Sequence, residues 1–216
     1  MTGAVRPIVH VVDDEKGICD LLTVLLTSVG HEVESYSSAE DFLSKFKSDS
    51  PGCLLLDIRM PGRSGLQLQE ELVALGIDLP IIFMSAHADV PTVIQAMKSG
   101  AVHFVEKPFN HQQVIDEVNA CLARHSQAWL ANKERETFQE LFASLTERQQ
   151  QVARMIVTGI SSKEIGRELN ISNRTVDAHR GSILAKFGVH SAFELANIFH
   201  ENGIAGPVAK PTGSKK

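Results

Sequence analysis

The chain has 216 residues, 43% of them apolar and 22% charged, with a formal net charge of −5. That composition is ordinary for a globular chain and excludes a disordered one, and no run reaches the roughly 20 apolar residues of a membrane span, the longest (Leu21 to Leu26) being interrupted by Thr23. The charge is unevenly spread: residues 1–124 hold 9 Lys+Arg against 17 Asp+Glu (net −8), and residues 125–216 hold 12 against 9 (net +3), which suits an acidic half that holds a cation and a basic half that approaches a polyanion.

Residues 8–12 (IVHVV) read as a buried strand ending in the acidic run Asp13, Asp14, Glu15. Ile18, Leu21, Leu22, Leu25 and Leu26 then recur at helical spacing, and Gly30 closes that helix. Residues 32–36 form a second strand, and Ser38 with Asp41 resembles a capping box that opens a helix to Phe46. The apolar run 53–56 (CLLL) is a strand of the doubly buried parallel type, ending at Asp57. Pro61-Gly62 marks a turn, a helix covers 65–75, and a fourth strand at 81–84 (IIFM) ends at Ser85. Val90 to Ser99 is helical, and residues 102–105 (VHFV) make the fifth strand, followed by Lys107-Pro108 and a helix from about Asn110. Five apolar strands alternating with helices predict an α/β, doubly wound, five-stranded parallel sheet.

The fifth helix has two readings. Val114, Val118, Cys121 or Leu122, His125 and Trp129 keep an apolar stripe, which lapses over 131–137 and resumes at Phe138, Leu141, Phe142 and Leu145. This is either a terminal helix, a solvated linker and a new helix, or one connector of about 34 residues that spans on the order of 50 Å and can pair with its twin. From Thr146 the pattern changes to short helices: Thr146 with Gln149 and Ser161 with Glu164 make capping boxes, Asn170 suits a left-handed turn position, Ser172 caps a helix over about 173–187, and Ser191 begins another. That is a small all-α domain containing a helix-turn-helix. The tail from Gly203, rich in Gly, Pro and Lys, reads as disordered. Cys19, Cys53 and Cys121 lie far apart in apolar settings, as small buried hydrophobes rather than a disulfide frame or zinc site, and Met1 to Pro7 do not read as a leader; a reducing cytoplasm is the expected location.

In doubly wound sheets the ligand site lies at the carboxyl ends of the strands. Asp13, Asp14, Asp57, Ser85 and Lys107 all follow such ends, so topology gathers them into one crevice. Clustered carboxylates repel unless neutralised, and a hard divalent cation such as magnesium takes carboxylate and water oxygens. A lysine and a serine hydroxyl beside them suit the oxygens of a phosphoryl group, and Asp57 is a candidate nucleophile because carboxylates form aspartyl phosphates. Taken singly, each residue reads as a cap or a surface charge; their joint placement at four strand ends favours the phosphoryl site.

The stretches Asp13-Asp14, Asp57-Ile-Arg-Met-Pro-Gly, Ser85-Ala and Glu106-Lys107-Pro108-Phe109 resemble the receiver domain of bacterial two-component response regulators, over about residues 7–124. The resemblance implies phosphorylation of Asp57 by a sensor histidine kinase. It implies Mg2+ held by Asp14, Asp57 and the backbone carbonyl of Arg59, with Asp13 assisting through water. It implies that Ser85 and Lys107 contact the phosphoryl group, that the Lys107–Pro108 bond is cis, and that Phe104 occupies the aromatic switch position, an ordinary core Phe being the other reading. Arg59 and His87 fall at positions thought to set phosphoryl lifetime.

Leu145-Thr-Glu-Arg, Ser162-Lys-Glu-Ile, Leu169-Asn-Ile-Ser and Thr175-Val-Asp-Ala-His resemble the LuxR-type helix-turn-helix, over about residues 143–203. With the receiver in front, the chain is similar to the NarL/FixJ class, and its HADVP and EKPF contexts lean toward the FixJ branch. The expected organisation is a receiver at 7–124, a helical linker at 125–143, a DNA-binding domain at 144–203 and a tail at 204–216. On the helix from Asn173, the residues Asp177, Ala178, Arg180, Gly181 and Ser182 are candidates to face the bases, with Arg180 the direct reader because Arg pairs bidentately with guanine. Lys163, Asn173, Arg174, Thr175, His179 and Lys186 would serve the DNA backbone.

The expected function is a transcription factor, not an enzyme beyond its own phosphoryl chemistry. Its expected partners are the kinase, double-stranded promoter DNA, RNA polymerase and, when phosphorylated, a second copy; no membrane is involved. An aspartyl-phosphate phosphatase would need a second acid two residues after the nucleophile, where this chain has Arg59. A phosphorylation-independent DNA-binding regulator with a vestigial receiver is the other alternative, and the intact set Asp14, Asp57, Ser85 and Lys107 speaks against it.

Overall fold

A computed structural model describes residues 5–47, 50–86 and 89–204. Two compact units divide the chain, Met1–Leu130 and Ala131–Lys216. The strands of the first unit are β1 (Ile8–Val12), β2 (Glu32–Tyr36), β3 (Gly52–Asp57), β4 (Ile81–Ser85) and β5 (His103–Glu106), and its helices are α1 (Lys16–Ser28), α2 (Ala39–Lys45), α3 (Gly65–Ala74), α4 (Val90–Lys98) and the first part of α5 (His111–Ala143). The sheet order is β2-β1-β3-β4-β5, with every pair parallel. Its order reverses on either side of β1 and β3, so the carboxyl ends of these two strands open a crevice at the switch point.

Strand alternation explains the two cores. Cys53 and Leu55 of β3 join Val9, Val11, Ile82 and Met84 on the face covered by α1 and α5. Leu54 and Leu56 join Val12, Ile81 and Phe83 on the face covered by α2, α3 and α4. Both faces of β3 are therefore closed to water, which is why its sequence is a continuous apolar run. In α1, Leu22 and Leu26 are buried whereas Leu21 is 39% exposed, so the stripe read from sequence is wider than the packed face. Gly30 takes φ +93°, with its N–H on Thr27 O (3.0 Å) and the next N–H on Leu26 O (3.1 Å), closing that helix as expected. Ser38 caps α2 through Asp41 N, but the Asp41 carboxylate accepts from Ser37 N and pairs with Lys45 at 2.7 Å instead of completing the box. Gln69 of α3, buried, donates to the carbonyls of Ala96 and Ser99 at the end of α4.

Helix α5 runs without interruption through the polar stretch 131–137. Those residues are exposed, but most are good helix formers, and Lys133 pairs with Glu136 at 2.9 Å. Val114, Val118, Cys121 and Leu122 belong to the core of the first unit, and Phe138 to that of the second. No helix among the described residues is long and apolar enough to cross a membrane.

The second unit continues with α6 (Glu147–Val157), α7 (Ser162–Leu169), α8 (Asn173–Lys186) and α9 (Ala192–Glu201). Each begins where a cap was expected: Thr146 and Ser161 complete reciprocal boxes with Gln149 and Glu164, Ser172 accepts from Thr175 N, and Ser191 accepts from Glu194 N. Asn170 sits at φ +52° between α7 and α8, a left-handed turn that Asn tolerates. The core is Val152, Ile156, Ile165, Val176, Ile183, Leu195 and Phe199, with Phe138 edge-on to Phe199 at 5.1 Å. The tail expected from residue 204 lies outside the described residues after Ile204.

Candidate functional site

Four strand ends converge as the sequence implied. Asp13 follows β1 and is fully buried; Asp57 ends β3 and is 6% exposed; Ser85 ends β4 and is buried; Lys107 follows β5. The Lys107 Nζ donates to Asp13 Oδ2 at 2.7 Å and lies 3.2 Å from Asp57 Oδ1 and 3.8 Å from Glu15 Oε1. Its own N–H bonds to Ser85 O at 2.8 Å, and the Lys107–Pro108 bond is cis. One oxygen from each of Asp13, Asp14 and Asp57 lies within 4.8 Å of the others, with Asp14 exposed at the mouth.

The electrostatics follow from this crowding. Burial pushes the Asp57 carboxyl up to about 6; Lys107 opposes that rise, while Asp13 and Asp14 add to it. Burial also raises Asp13, against its hydrogen bond from Lys107. Burial works against the Lys107 ammonium, but the hydrogen bond and charge of Asp13, together with Asp57, outweigh it and raise its pKa. Three carboxylates thus face one close ammonium, an excess of negative charge that a divalent cation matches. The donor set is all oxygen, which fits Mg2+.

The surroundings are specific in three places. Arg59 is exposed, and its charge reaches Asp89, whose carboxylate caps α4 through Thr92 N at 2.8 Å and is held low chiefly by that bond. Phe104 is half-buried against the core that includes Met60, Phe83 and Ala96. His87 lies outside the described residues. Gly65 was not singled out from sequence, yet a Cβ there would stand 2.2 Å from the backbone oxygen of Asp57. Gly65→Ala is expected to push the end of β3 aside and destabilise the first unit by roughly 1–3 kcal/mol, read as a lower melting midpoint.

In the second unit, Asn173, Arg174, Thr175, Asp177, Ala178, Gly181 and Ser182 are exposed along α8, while His179 and Arg180 are half-buried. Val176 and Ile183, fully buried, anchor the opposite face. Lys163, on α7, is exposed. Two polar contacts were not foreseen. Ser182 Oγ accepts from Gln149 Nε2 at 3.2 Å, and Lys186 Nζ donates to Ser144 O at 2.7 Å, giving that ammonium a role in fastening α8 to the end of α5. The α7–turn–α8 pair, with a solvent-facing second helix, is the geometry of a helix-turn-helix.

Comparison with known proteins matches a family to each of the two units. Residues 9–119 match the response regulator receiver domain, and residues 143–199 match the bacterial regulatory proteins of the luxR family. The transcriptional regulatory protein TdiR of Thauera aromatica is 44% identical over 187 residues, covering 87% of this chain and 82% of TdiR. This chain is a two-component response regulator. Another relative of this regulator is the transcriptional regulatory protein FixJ of Azorhizobium caulinodans, 38% identical across 91% of this chain and 93% of FixJ. Among solved structures, the response regulator StyR superposes with a TM-score of 0.82 at 39% identity, over 91% of this chain and 99% of StyR. The regulator therefore joins a receiver to a LuxR-type DNA-binding domain, and its class implies a histidine kinase as partner of the one and DNA as partner of the other.

Proposed function

We propose that a sensor histidine kinase transfers a phosphoryl group to Asp57, and that the phosphorylated regulator dimerises, binds promoter DNA and acts on RNA polymerase. The observation that carries the reading is the Asp57 carboxylate at the end of β3, in reach of the Lys107 ammonium and beside two further carboxylates. Asp14, Asp57 and the Arg59 carbonyl would hold Mg2+, with Asp13 assisting through water; when bound, the ion supplies charge neutralisation to the phosphoryl oxygens. An Asp57 oxygen attacks phosphorus, the N–P bond to the kinase histidine breaks, and the electron pair leaves with the imidazole. Ser85 donates to one phosphoryl oxygen. Lys107, now shared between Asp13 and Asp57, turns to another.

The readout uses the receiver's own surface. Val90, Ile94 and Met97 stand at i, i+4 and i+7 on α4, 69%, 46% and 43% exposed, an apolar stripe that supports pairing of two receivers about a two-fold axis. Movement of Ser85 and Phe104 toward the phosphoryl group would reshape that face. Pairing brings two α8 helices to half-sites about one DNA turn apart, so avidity compensates for a DNA-binding half of modest charge. Asp177, Ala178, Arg180 and Gly181 would face the bases, and Lys163, Asn173, Arg174, Thr175, His179 and Lys186 the phosphates.

Light scattering and a promoter-fragment titration, with and without acetyl phosphate and Mg2+, test this on wild type and Asp57→Asn. The expected result is a shift from monomer to dimer with tighter DNA binding, absent in the variant. Unchanged mass and affinity on confirmed phosphorylation would overturn the dimerisation step.

A further inference from the structure

Gln69 is a polar side chain at a place where an apolar one would pack. It is 2% exposed and lies in α3 between Leu68 and Leu72, both buried. Its Nε2 donates to Ser99 O at 3.1 Å and, more weakly, to Ala96 O at 3.4 Å. Its Oε1 is buried and has no hydrogen-bond partner among the described residues. A buried acceptor left unpaired costs stability that a methionine or leucine here would not lose, so the two donor bonds are what the amide contributes. Both fall on the end of α4, which is a Schellman turn: Gly100 N bonds to Met97 O and Ala101 N to Ala96 O, each at 3.1 Å, with Gly100 at φ +97°. Ala96 is the one buried residue of α4, while Val90, Ile94 and Met97 face outward. A helix with so little buried surface opens at low cost, and Gln69 grips it at its last turn.

The other end of the connection is the crevice. Gly65 and Gln69 stand at i and i+4, so they share one face of α3. Gly65 lies against the end of β3, its N–H on Ile58 O at 2.9 Å and its Cα where no Cβ fits beside Asp57 O. One helical turn therefore joins the backbone of Asp57 to the end of α4. From α4 the chain passes directly to β5, with Val102 N on Ile81 O at 2.8 Å, and β5 carries Phe104 and leads to Lys107. We propose that Gln69 is a positioning residue for the phosphorylation signal: it grips α4 in the resting receiver and lets go when Asp57 is phosphorylated, so that its bonds set the fraction of chains whose α4 face is ready to pair. This rests on the reading above that the α4 face pairs two receivers. A chain that must first release α4 pairs with an affinity reduced by the released fraction, and loss of the grip removes that reduction.

The test uses the full chain and Gln69→Met, which keeps the length of the side chain and removes the amide. At rest, backbone hydrogen exchange in α4 is expected to be about tenfold faster in the variant, with β3 and α1 unchanged. In light scattering without phosphate, Gln69→Met added to Asp57→Asn is expected to pair about tenfold more tightly than Asp57→Asn alone, a gain that a merely structural role would not produce. If neither Gln69→Met nor Gln69→Leu folds, the wild type decides: in NMR spectra the Gln69 side-chain NH2 should be protected from exchange at rest and lose that protection with acetyl phosphate and Mg2+. Unchanged α4 exchange, unchanged pairing of the double variant although the phosphorylated wild type dimerises, or a side-chain amide that stays protected in the phosphorylated chain would each overturn the proposal. A phosphorylated wild type that stays monomeric overturns the pairing reading instead, and the exchange and amide data then decide on the grip by themselves.

Discussion

An Asp57→Asn chain is expected to melt higher than the wild type at pH 7 in EDTA, and to take up no phosphoryl group from acetyl phosphate. Asp57 is 6% exposed, with its carboxyl raised from 3.8 to about 6. Burial is the main cause, and Lys107 only partly offsets it. At about 1.4 kcal/mol per pKa unit, the ionised carboxylate costs the folded chain roughly 3 kcal/mol at neutral pH. Between about pH 4 and about pH 6 the folded chain keeps a proton that the unfolded chain has released, so wild-type stability falls as pH rises through that window. Below it both states are protonated and the difference vanishes. Asparagine removes the slope and the cost, raising the midpoint of the first unit by roughly 5–10 °C. Mg2+ is expected to stabilise the wild type more than the variant, because it neutralises the charge that the variant lacks. Equal midpoints in EDTA at pH 7 would mean that Lys107 already offsets the burial of Asp57 in full.

The parts of the molecule that were legible in its sequence are those governed by local rules. Thr146–Gln149 and Ser161–Glu164 span three residues each, so a capping box can be read directly, and both form. The crevice was legible for a different reason: strands of a parallel sheet all point one way, so residues that follow apolar runs must share an edge. The contacts that were missed join residues whose separation no period encodes. His125 reaches Gly52 across 73 residues and Lys186 reaches Ser144 across 42. The proximity of Gly65 to Asp57 O was invisible because a glycine's reason lies in the backbone it faces. The polar stretch 131–137 left two readings open, and the single continuous helix is the one that forms: loss of an apolar stripe reports loss of packing, whereas helix continuity depends on propensity, which those residues retain.

Lys107→Met is expected to have the opposite sign from Asp57→Asn, and a larger effect. The Lys107 side chain is 9% exposed and joins Asp13, fully buried, to Asp57. Methionine fills the stem but leaves two buried carboxylates facing each other, and stranding such charges costs about 3–5 kcal/mol. Without the ammonium both carboxyls rise further, so the folded variant binds protons at higher pH than the unfolded chain, and its deficit should be deepest near pH 8 and shrink toward pH 5. Thermal melts across that range, in EDTA, measure it. Adding Asp57→Asn to Lys107→Met removes one stranded charge, so the double variant should be more stable than Lys107→Met alone; the two changes are coupled through one cluster and do not sum. On the proposed mechanism, phosphorylated Lys107→Met chain is also expected to stay monomeric in light scattering, because the cation that would exchange a carboxylate for a phosphoryl oxygen is gone. If the double variant is no more stable than Lys107→Met, the loss arises from packing around the lysine stem, and the cluster's charge balance is not what holds the crevice together.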